Sequence, residues 1–403
     1  MHIVLPTLGY VLAGSAVLVS LYVLGFAIAG RRLLVSRGKT AALKHHFRFL
    51  VFIPAHNEAH GIQATIESIF TLRYPRELFR VITIADNCDD ATAQIAASCG
   101  SQVWVREDRR QRGKGHALTW AFQRALGESF DIAVIIDADT AVHPDFLDRI
   151  GVAAEAAGAS LSATVFQGRY EFAPTQTESG WFETFTIASK AAENSFVYRP
   201  RSSAGLVNLL QGNGFCVPRT VMECVPFASS SIVEDADYAI DLALAGVQVR
   251  FVEHAQVFSR MTRTINDAAP QRLRWASGIF QLMLYSLPKL VANGIKQRRW
   301  KLVEAALSLL FTSRLFLIYL TVAAIAVAGI QLPGKVGLYI LSLAFLAVLL
   351  QLIYLWMMFR KAAEKAYSMR GLIFMPAYIG MVGLSQAATL IGLRSKHWTR
   401  TVR

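Results

Sequence analysis

The stretch DIAVIIDADT, Asp131 to Thr140, decides how the chain is read. Its apolar run, Ile132 to Ile136, is short and bounded by acids, the pattern of a strand buried in a parallel sheet. Two carboxylates, Asp137 and Asp139, stand two positions apart where that strand ends. In open α/β sheets, ligands bind outside the carboxyl ends of the strands. Two acids there suit a hard divalent cation, which can in turn hold a diphosphate. A bare D-x-D is also what a solvated loop looks like, so its neighbours must carry the argument.

Working outward, strand and helix patterns alternate from Phe49 to about Ile150. The strands are FLVFIPAHNE (49–58), FRVITIADN (79–87), QVWVRE (102–107) and DIAVIIDAD (131–139). Helical spacing falls at Ala59 to Leu72, Asp90 to Ser98 and Lys114 to Leu126. Such alternation predicts a parallel sheet with helices on both faces, an architecture that binds nucleotides but does not by itself fix function. Polar residues gather at the strand ends: His56, Asn57 and Glu58, then Asp86, Asn87, Asp89 and Asp90. A glycine-flanked basic loop, Gln111 to Gly115, holds Lys114 where phosphate could approach the backbone, although it lacks Walker spacing. Each patch alone reads as a solvated loop; four on one rim point to a site.

Beyond Gly151 the pattern is weaker. An aromatic helical run surrounds Trp181, Phe182 and Phe185. Gly212-Asn213-Gly214 is either a tight turn or a backbone wall beside an acceptor. In SSSIVEDADYAIDLALAG, Ser229 to Gly246, Glu234 and Asp235 open an amphipathic helix, either as dipole caps or with Asp235 as a general base. Gln271-Arg272-Leu273-Arg274-Trp275 offers a guanidinium fork for a diphosphate and a flat ring for a sugar. It suits an interfacial anchor equally well.

Composition sets the surroundings. The 403 residues are 54% hydrophobic and only 17% charged, with a mean hydropathy of +0.38. That is too apolar for an ordinary soluble chain. The net charge of +13 fits basic loops beside a membrane, and no motif for nucleic acid accompanies it. Cys88, Cys99, Cys216 and Cys224 form no C-x-x-C pair and read as reduced thiols. Ile3 to Ala29 is long enough for one spanning helix, and Arg31, Arg32, Arg37, Lys39 and Lys44 follow it. With only His2 before the apolar run, it reads as an uncleaved anchor rather than a cleaved signal, and the next domain as cytosolic. Ser277 to Ile295 reads as an interfacial helix. Leu315 to Leu332, Gly337 to Met358 and Leu372 to Leu393 read as membrane segments. Three full spans would export the basic tail, so the last segment is expected to re-enter or lie flat.

Taken in order, PAHNE, ADNCDD, RGKGHAL, DAD, VED and QRLRW resemble the membrane-integrated family 2 glycosyltransferases, which include cellulose, hyaluronan and poly-N-acetylglucosamine synthases. The resemblance covers roughly Phe49 to Trp275. It implies a GT-A-type, Rossmann-like, mostly parallel α/β domain between N- and C-terminal transmembrane helices. The expected division is an anchor (1–30), a basic linker (31–48), the catalytic domain (49–275), interfacial helices (276–314), membrane segments (315–394) and a basic tail (395–403). By the same resemblance Asp86 binds the uracil end of a UDP-sugar, with Pro54 and Glu58 in its pocket. Lys114 lies near the phosphates, Asp137 contacts the nucleotide, and Asp139 with Asp137 holds Mg²⁺ or Mn²⁺. Asp235 is the base, supported by Glu234. Gln271, Arg274 and Trp275 close over diphosphate and acceptor, and Gly212 and Asn213 border the acceptor. The sequence departs from the family at Asn87-Cys88, where many relatives have glycine and serine, and at Val233 in place of threonine. The expected reaction is an inverting, metal-dependent transfer to a growing β-linked polysaccharide in a bacterial inner membrane, with export through its own helices, a second copy or a partner. Transfer of one sugar to a ceramide or polyprenyl phosphate lipid is the alternative.

Overall fold

A computed structural model describes residues 4–33, 46–173, 181–228, 231–260, 265–312 and 314–363, with Gly380. The chain opens with α1 (Val4–Leu33) and then enters the expected alternation. This runs β1 (Phe49–Ala55), α2 (Ile62–Phe70), β2 (Phe79–Asp86), α3 (Thr92–Ser98), β3 (Gln102–Arg106), α4 (Lys114–Ala125) and β4 (Ile132–Ile135). β1 shows why both faces are covered. Phe49, Val51, Ile53 and Ala55 pack into one core with Ile62, Ile66 and Ile69 of α2. Leu50 and Phe52 enter the other core with Leu118 and Phe122 of α4. Alternating side chains of a strand point to opposite faces, so an apolar run must bury both. Phe52 is fully buried, and truncating such a ring to alanine costs about 3–5 kcal/mol.

The less legible segment supplies the second half of the sheet. After β4 come β5 (Thr140–Val142), α5 (Phe146–Ala157), β6 (Thr164–Ala173), α6 (Trp181–Glu193), a π-helical turn (Asn194–Tyr198), α7 (Arg199–Ser203), β7 (Phe215–Pro218), α8 (Arg219–Cys224), α9 (Glu234–Ala245) and β8 (Gln248–Arg260). The strand order is β3-β2-β1-β4-β7-β6-β8-β5. The first four strands are parallel, β7 runs antiparallel to both β4 and β6, and β8 is parallel to β6. The sheet is therefore mixed, with its first half, β1 to β4, all parallel as expected. β5 pairs with β8 at the far edge of the sheet, yet only residues 136–139 separate it from β4. Five steps of chain reach at most about 19 Å, so the sheet curls over its own carboxyl rim. The two aspartates sit at that crossing.

The C-terminal part contains α10 (Ile265–Lys296), α11 (Trp300–Thr312), α12 (Arg314–Gln331) and α13 (Lys335–Ala363). Gln271 to Trp275 lie on α10, so the boundary expected at residue 275 falls inside one continuous helix. α1 and α13 are long and apolar enough to cross a membrane, and α12 carries a shorter apolar stretch, Leu317–Gln331. α1 meets α12 and α13 through small side chains, Ala13, Ala324, Ala328 and Ala344. This close approach is typical of helices packed without a hydrophobic driving force. The expected segment Leu372 to Leu393 and the basic tail lie outside the described residues. A buried cross-tie joins anchor to catalytic domain. Arg201 donates to Glu304 of α11 at 2.7 and 2.8 Å and to the Tyr22 hydroxyl of α1 at 2.8 Å.

Candidate active site

The DAD loop is shaped from beneath. Ala138 is buried in the core below α2, which turns Asp137 and Asp139 the other way. Thr65 of α2 donates to the Ala138 carbonyl at 2.8 Å and accepts from the Thr140 amide at 3.0 Å. Asn213 accepts from the Asp137 amide at 3.2 Å and donates to Thr140 Oγ1 at 2.7 Å and Ser259 Oγ at 3.1 Å. Asn213 is fully buried. The side chain expected beside an acceptor is therefore a brace for the loop, because its polar atoms are engaged inside. Gly212 takes the more open position: its φ is +75°, and a methyl placed there would lie 3.1 Å from Asp235 Oδ2.

Lys114 draws four separated segments together. Lys114 Nζ donates to Asp137 Oδ1 at 2.5 Å and to the Gly212 carbonyl. Burial opposes its charge, but Asp137, Glu234 and Asp235 outweigh that and raise its pKa. The carboxyl groups of Glu234 and Asp235 open α9 and are pushed up, mainly by burial. For Glu234 the neighbouring Asp235 adds to the rise, and Lys114 opposes it in both. Arg274 sits beside Glu234; burial lowers its pKa, and Glu234 works the other way. Its Nε is buried without a hydrogen-bond partner. Gly278, one turn along α10, lets that helix close on Val233, since a methyl at Gly278 would lie 2.7 Å from Val233 Cγ1. Residues four apart share a helix face, so the Gly278 contact turns Arg274 toward Glu234. Val233, the departure from threonine, is thus a buried packing residue and makes no side-chain cap. Trp275 is half-buried on the same helix.

Asp86 is 4% exposed at the end of β2. Its Oδ1 accepts from Arg106 Nη1 at 2.6 Å and from Asn87 Nδ2 at 3.0 Å, while His56 Nδ1 meets its carbonyl at 2.7 Å. Arg106 was absent from the expected site, although an arginine closing an otherwise apolar strand is a readable signal. Asn57 and Asn87 have φ of +56° and +52°, and each side chain accepts a neighbouring loop amide, from Asp89 at 2.8 Å and from Asp108 at 2.9 Å. Asparagine tolerates this left-handed region better than other non-glycine residues. The Asn87 departure therefore keeps the turn that glycine would make. Pro54 lies past the last β4 pairing of β1, where its missing N–H costs no ladder bond. The Glu58 backbone starts the turn into α2, its amide held by Thr92 at 2.8 Å.

The donor set fits a hard cation. Among the described residues no three His, Cys, Asp or Glu side chains converge as a metal cage. Asp137 and Asp139 alone suit Mg²⁺ or Mn²⁺ completed by water and substrate phosphate, the usual way such ions bind.

The sheet thus carries acids on its carboxyl rim, and a half-buried acidic pair faces them across Lys114. The chain belongs to the glycosyltransferase-like family 2, whose sequence profile matches residues 46–278. It is a glycosyltransferase by that membership. It is 23% identical over 235 residues to poly-beta-1,6-N-acetyl-D-glucosamine synthase of Staphylococcus epidermidis, covering 58% of this chain and 54% of that protein. It is 27% identical over 237 residues to beta-monoglucosyldiacylglycerol synthase of Synechocystis, covering 58% and 48%. The chain spans about half the length of these relatives. In fold it resembles a mannosyltransferase from Pyrobaculum calidifontis in complex with GDP-Man and Mn²⁺, with a TM-score of 0.58 and 18% identity over 98% of this chain and 100% of that one.

Proposed function

We propose that this glycosyltransferase is inverting and metal-dependent, and moves a sugar from a UDP-sugar to a growing β-linked polysaccharide at a membrane. One observation carries the reading: Lys114, Asp137, Gly212 and Asp235, far apart in sequence, meet within a few ångströms. Asp86, Pro54 and Glu58 form the uridine side. Asp137 and Asp139 would hold Mg²⁺ or Mn²⁺, which supplies Lewis-acid neutralisation of the diphosphate. Asp235 takes the proton of the acceptor hydroxyl as that oxygen bonds to the anomeric carbon. The bond from that carbon to the diphosphate breaks in the same displacement, and UDP departs with the electron pair. Burial raises the Asp235 carboxyl, which strengthens it as a base. Glu234 keeps the pair electronegative, and Lys114 with Arg274 offsets charge on the leaving diphosphate. Gln271 and Trp275 frame the acceptor from α10. One base and one displacement invert the anomeric centre. In this reading α1 and α13, both long and apolar enough to span, lie in the membrane, and the basic end of α1 supports a cytosolic catalytic domain.

A lipid acceptor is the second reading, favoured by the similarity to a glucosyldiacylglycerol synthase. The test is UDP release and product size for purified protein in lipid, supplied with UDP- and GDP-sugars and Mg²⁺ or Mn²⁺. A high-molecular-weight product from a UDP-sugar is expected. A lipid-sized product would replace the polymer reading with the second one. Turnover confined to GDP-sugars would overturn the donor assignment, and full turnover in chelator would overturn metal dependence.

A further inference from the structure

Two cavities outside the transferase site adjoin along α7. One, of about 490 Å³, is polar and includes Arg199, Ser202, Ser203, Arg250 and Glu253 in its wall. The other, also about 490 Å³, runs along the last turns of α1 past Gly25, Ile28, Ala29 and Arg32, and is closed by Pro200 and Ser203. Ser203 lines both. Arg250 lies near the start of β8, whereas Ser259, the residue of β8 beside the aspartate loop, lies near its end, so the polar cavity is separate from that loop.

The polar cavity has more cation than its own acids neutralise. Glu253 is already paired with Arg199, and with Arg169 at 3.0 Å. Among the described residues Arg250 has no ion pair. Lys301 Nζ reaches this wall, 3.1 Å from where a methyl on Gly205 would stand. Arg199 is 6% exposed, and its Nε is buried without a hydrogen-bond partner. The field is felt nearby: burial, then Arg149, Arg199 and Arg169, lower the pKa of His254. The apolar groove has complementary features. Gly25 and Ala29 are exposed and four apart, and nothing stands within 4 Å of a methyl at Gly25. Arg32 closes the basic end of this groove, a residue type that favours the headgroup level of a spanning helix.

We propose that the joined cavities bind one anionic phospholipid, its phosphate held by Arg199, Arg250 and Lys301 and one acyl chain lying along Gly25, Ile28 and Ala29 of α1. The polar chamber takes charge and the groove takes hydrocarbon, and only an amphiphile fills both. This rests on α1 lying in a membrane and not on the transfer chemistry, so its test reads binding rather than turnover.

The full chain, purified in mild detergent, is titrated with phosphatidylglycerol and phosphatidylcholine, and retained lipid is counted by native mass spectrometry. Phosphatidylglycerol is expected to be retained preferentially. Arg250→Gln and Lys301→Gln should each weaken it about fivefold, and together about thirtyfold, the fold-change that the attraction of one basic side chain for an anionic surface implies. Lys296→Gln with Arg298→Gln removes equal charge from exposed positions and should leave retention unchanged. Ala29→Trp should abolish retention by filling the groove while the polar cavity stays intact. Equal losses in the Lys296/Arg298 control would overturn the site in favour of diffuse charge. Displacement by inorganic phosphate or glycerol 3-phosphate at the lipid's own concentration would overturn the lipid and leave a soluble-anion site.

Discussion

Around Asp86, a buried carboxylate meets a buried guanidinium at 2.6 Å, and Arg106 turns its other N–H groups to Asp108 and the Gln111 carbonyl. Around Asp235, two half-buried carboxylates have one lysine between them, and Arg274 keeps a buried Nε without a partner. The first arrangement is internally complete, as a rigid recognition surface should be. The second crowds acids around a single lysine in a partly desolvated place, which raises its carboxyl pKa values and suits proton transfer. Both lie on one sheet rim, yet one carboxylate is braced by a guanidinium and the other is crowded by further acids.

The sharpest way to break this contrast is Asp235→Asn. Turnover should fall about a thousandfold, as for loss of a general base, while nucleotide affinity measured calorimetrically stays within about twofold. Retained turnover would remove the base assignment. Arg106→Met should do the opposite. It strands the buried Asp86 charge, which costs about 3–5 kcal/mol of stability, read as a lowered melting temperature and weakened nucleotide binding. A melting temperature equal to that of the parent would show that the pair is not the buried brace it looks like. Gly212→Ala should be milder. The left-handed backbone there costs a residue with a Cβ about 1–2 kcal/mol, and the methyl crowds Asp235, so turnover should drop about tenfold with nucleotide affinity kept.

The smallest effect sharpens the contrast through its sign. Glu234 and Asp235 bind protons more tightly folded than unfolded. Their contribution to stability is therefore complete below the unfolded carboxylate pKa, about 4, and is lost as pH rises through the raised folded values. Activity needs the ionised base and moves the other way. Between about pH 5 and 8 the rate should climb while the melting temperature declines slightly, and Glu234→Gln should flatten both slopes. A melting temperature that rises with the rate would contradict the crowded, half-buried pair.

The parallel half was readable because its signals are local. Each strand is an apolar run followed at once by its polar residues, so Asp86, Lys114, Asp137 and Asp139 could be placed on one rim from pattern alone. The antiparallel half was not, because β6, β7 and β8 are held together by partners far away in sequence. The π-helical turn and α7 gave no periodic signal at all. Asn213 shows the limit well. Gly-Asn-Gly announces a turn, but only the curl of β8 over β4 brings Ser259 and Thr140 to the asparagine. Likewise QRLRW was legible as a basic-aromatic motif, whereas its place over Glu234 depends on Gly278 letting α10 close on Val233.

By itself, then, the sequence determined the α/β alternation, the apolar terminal helices and the types of acid and base at each strand end, since these follow from hydrophobic period and side-chain chemistry within a few residues. Only the tertiary structure decided which charges face one another. Whether a carboxylate is braced by a guanidinium, like Asp86, or raised in pKa, like Asp235, depends on burial and on partners from other segments, and those are properties of the folded chain.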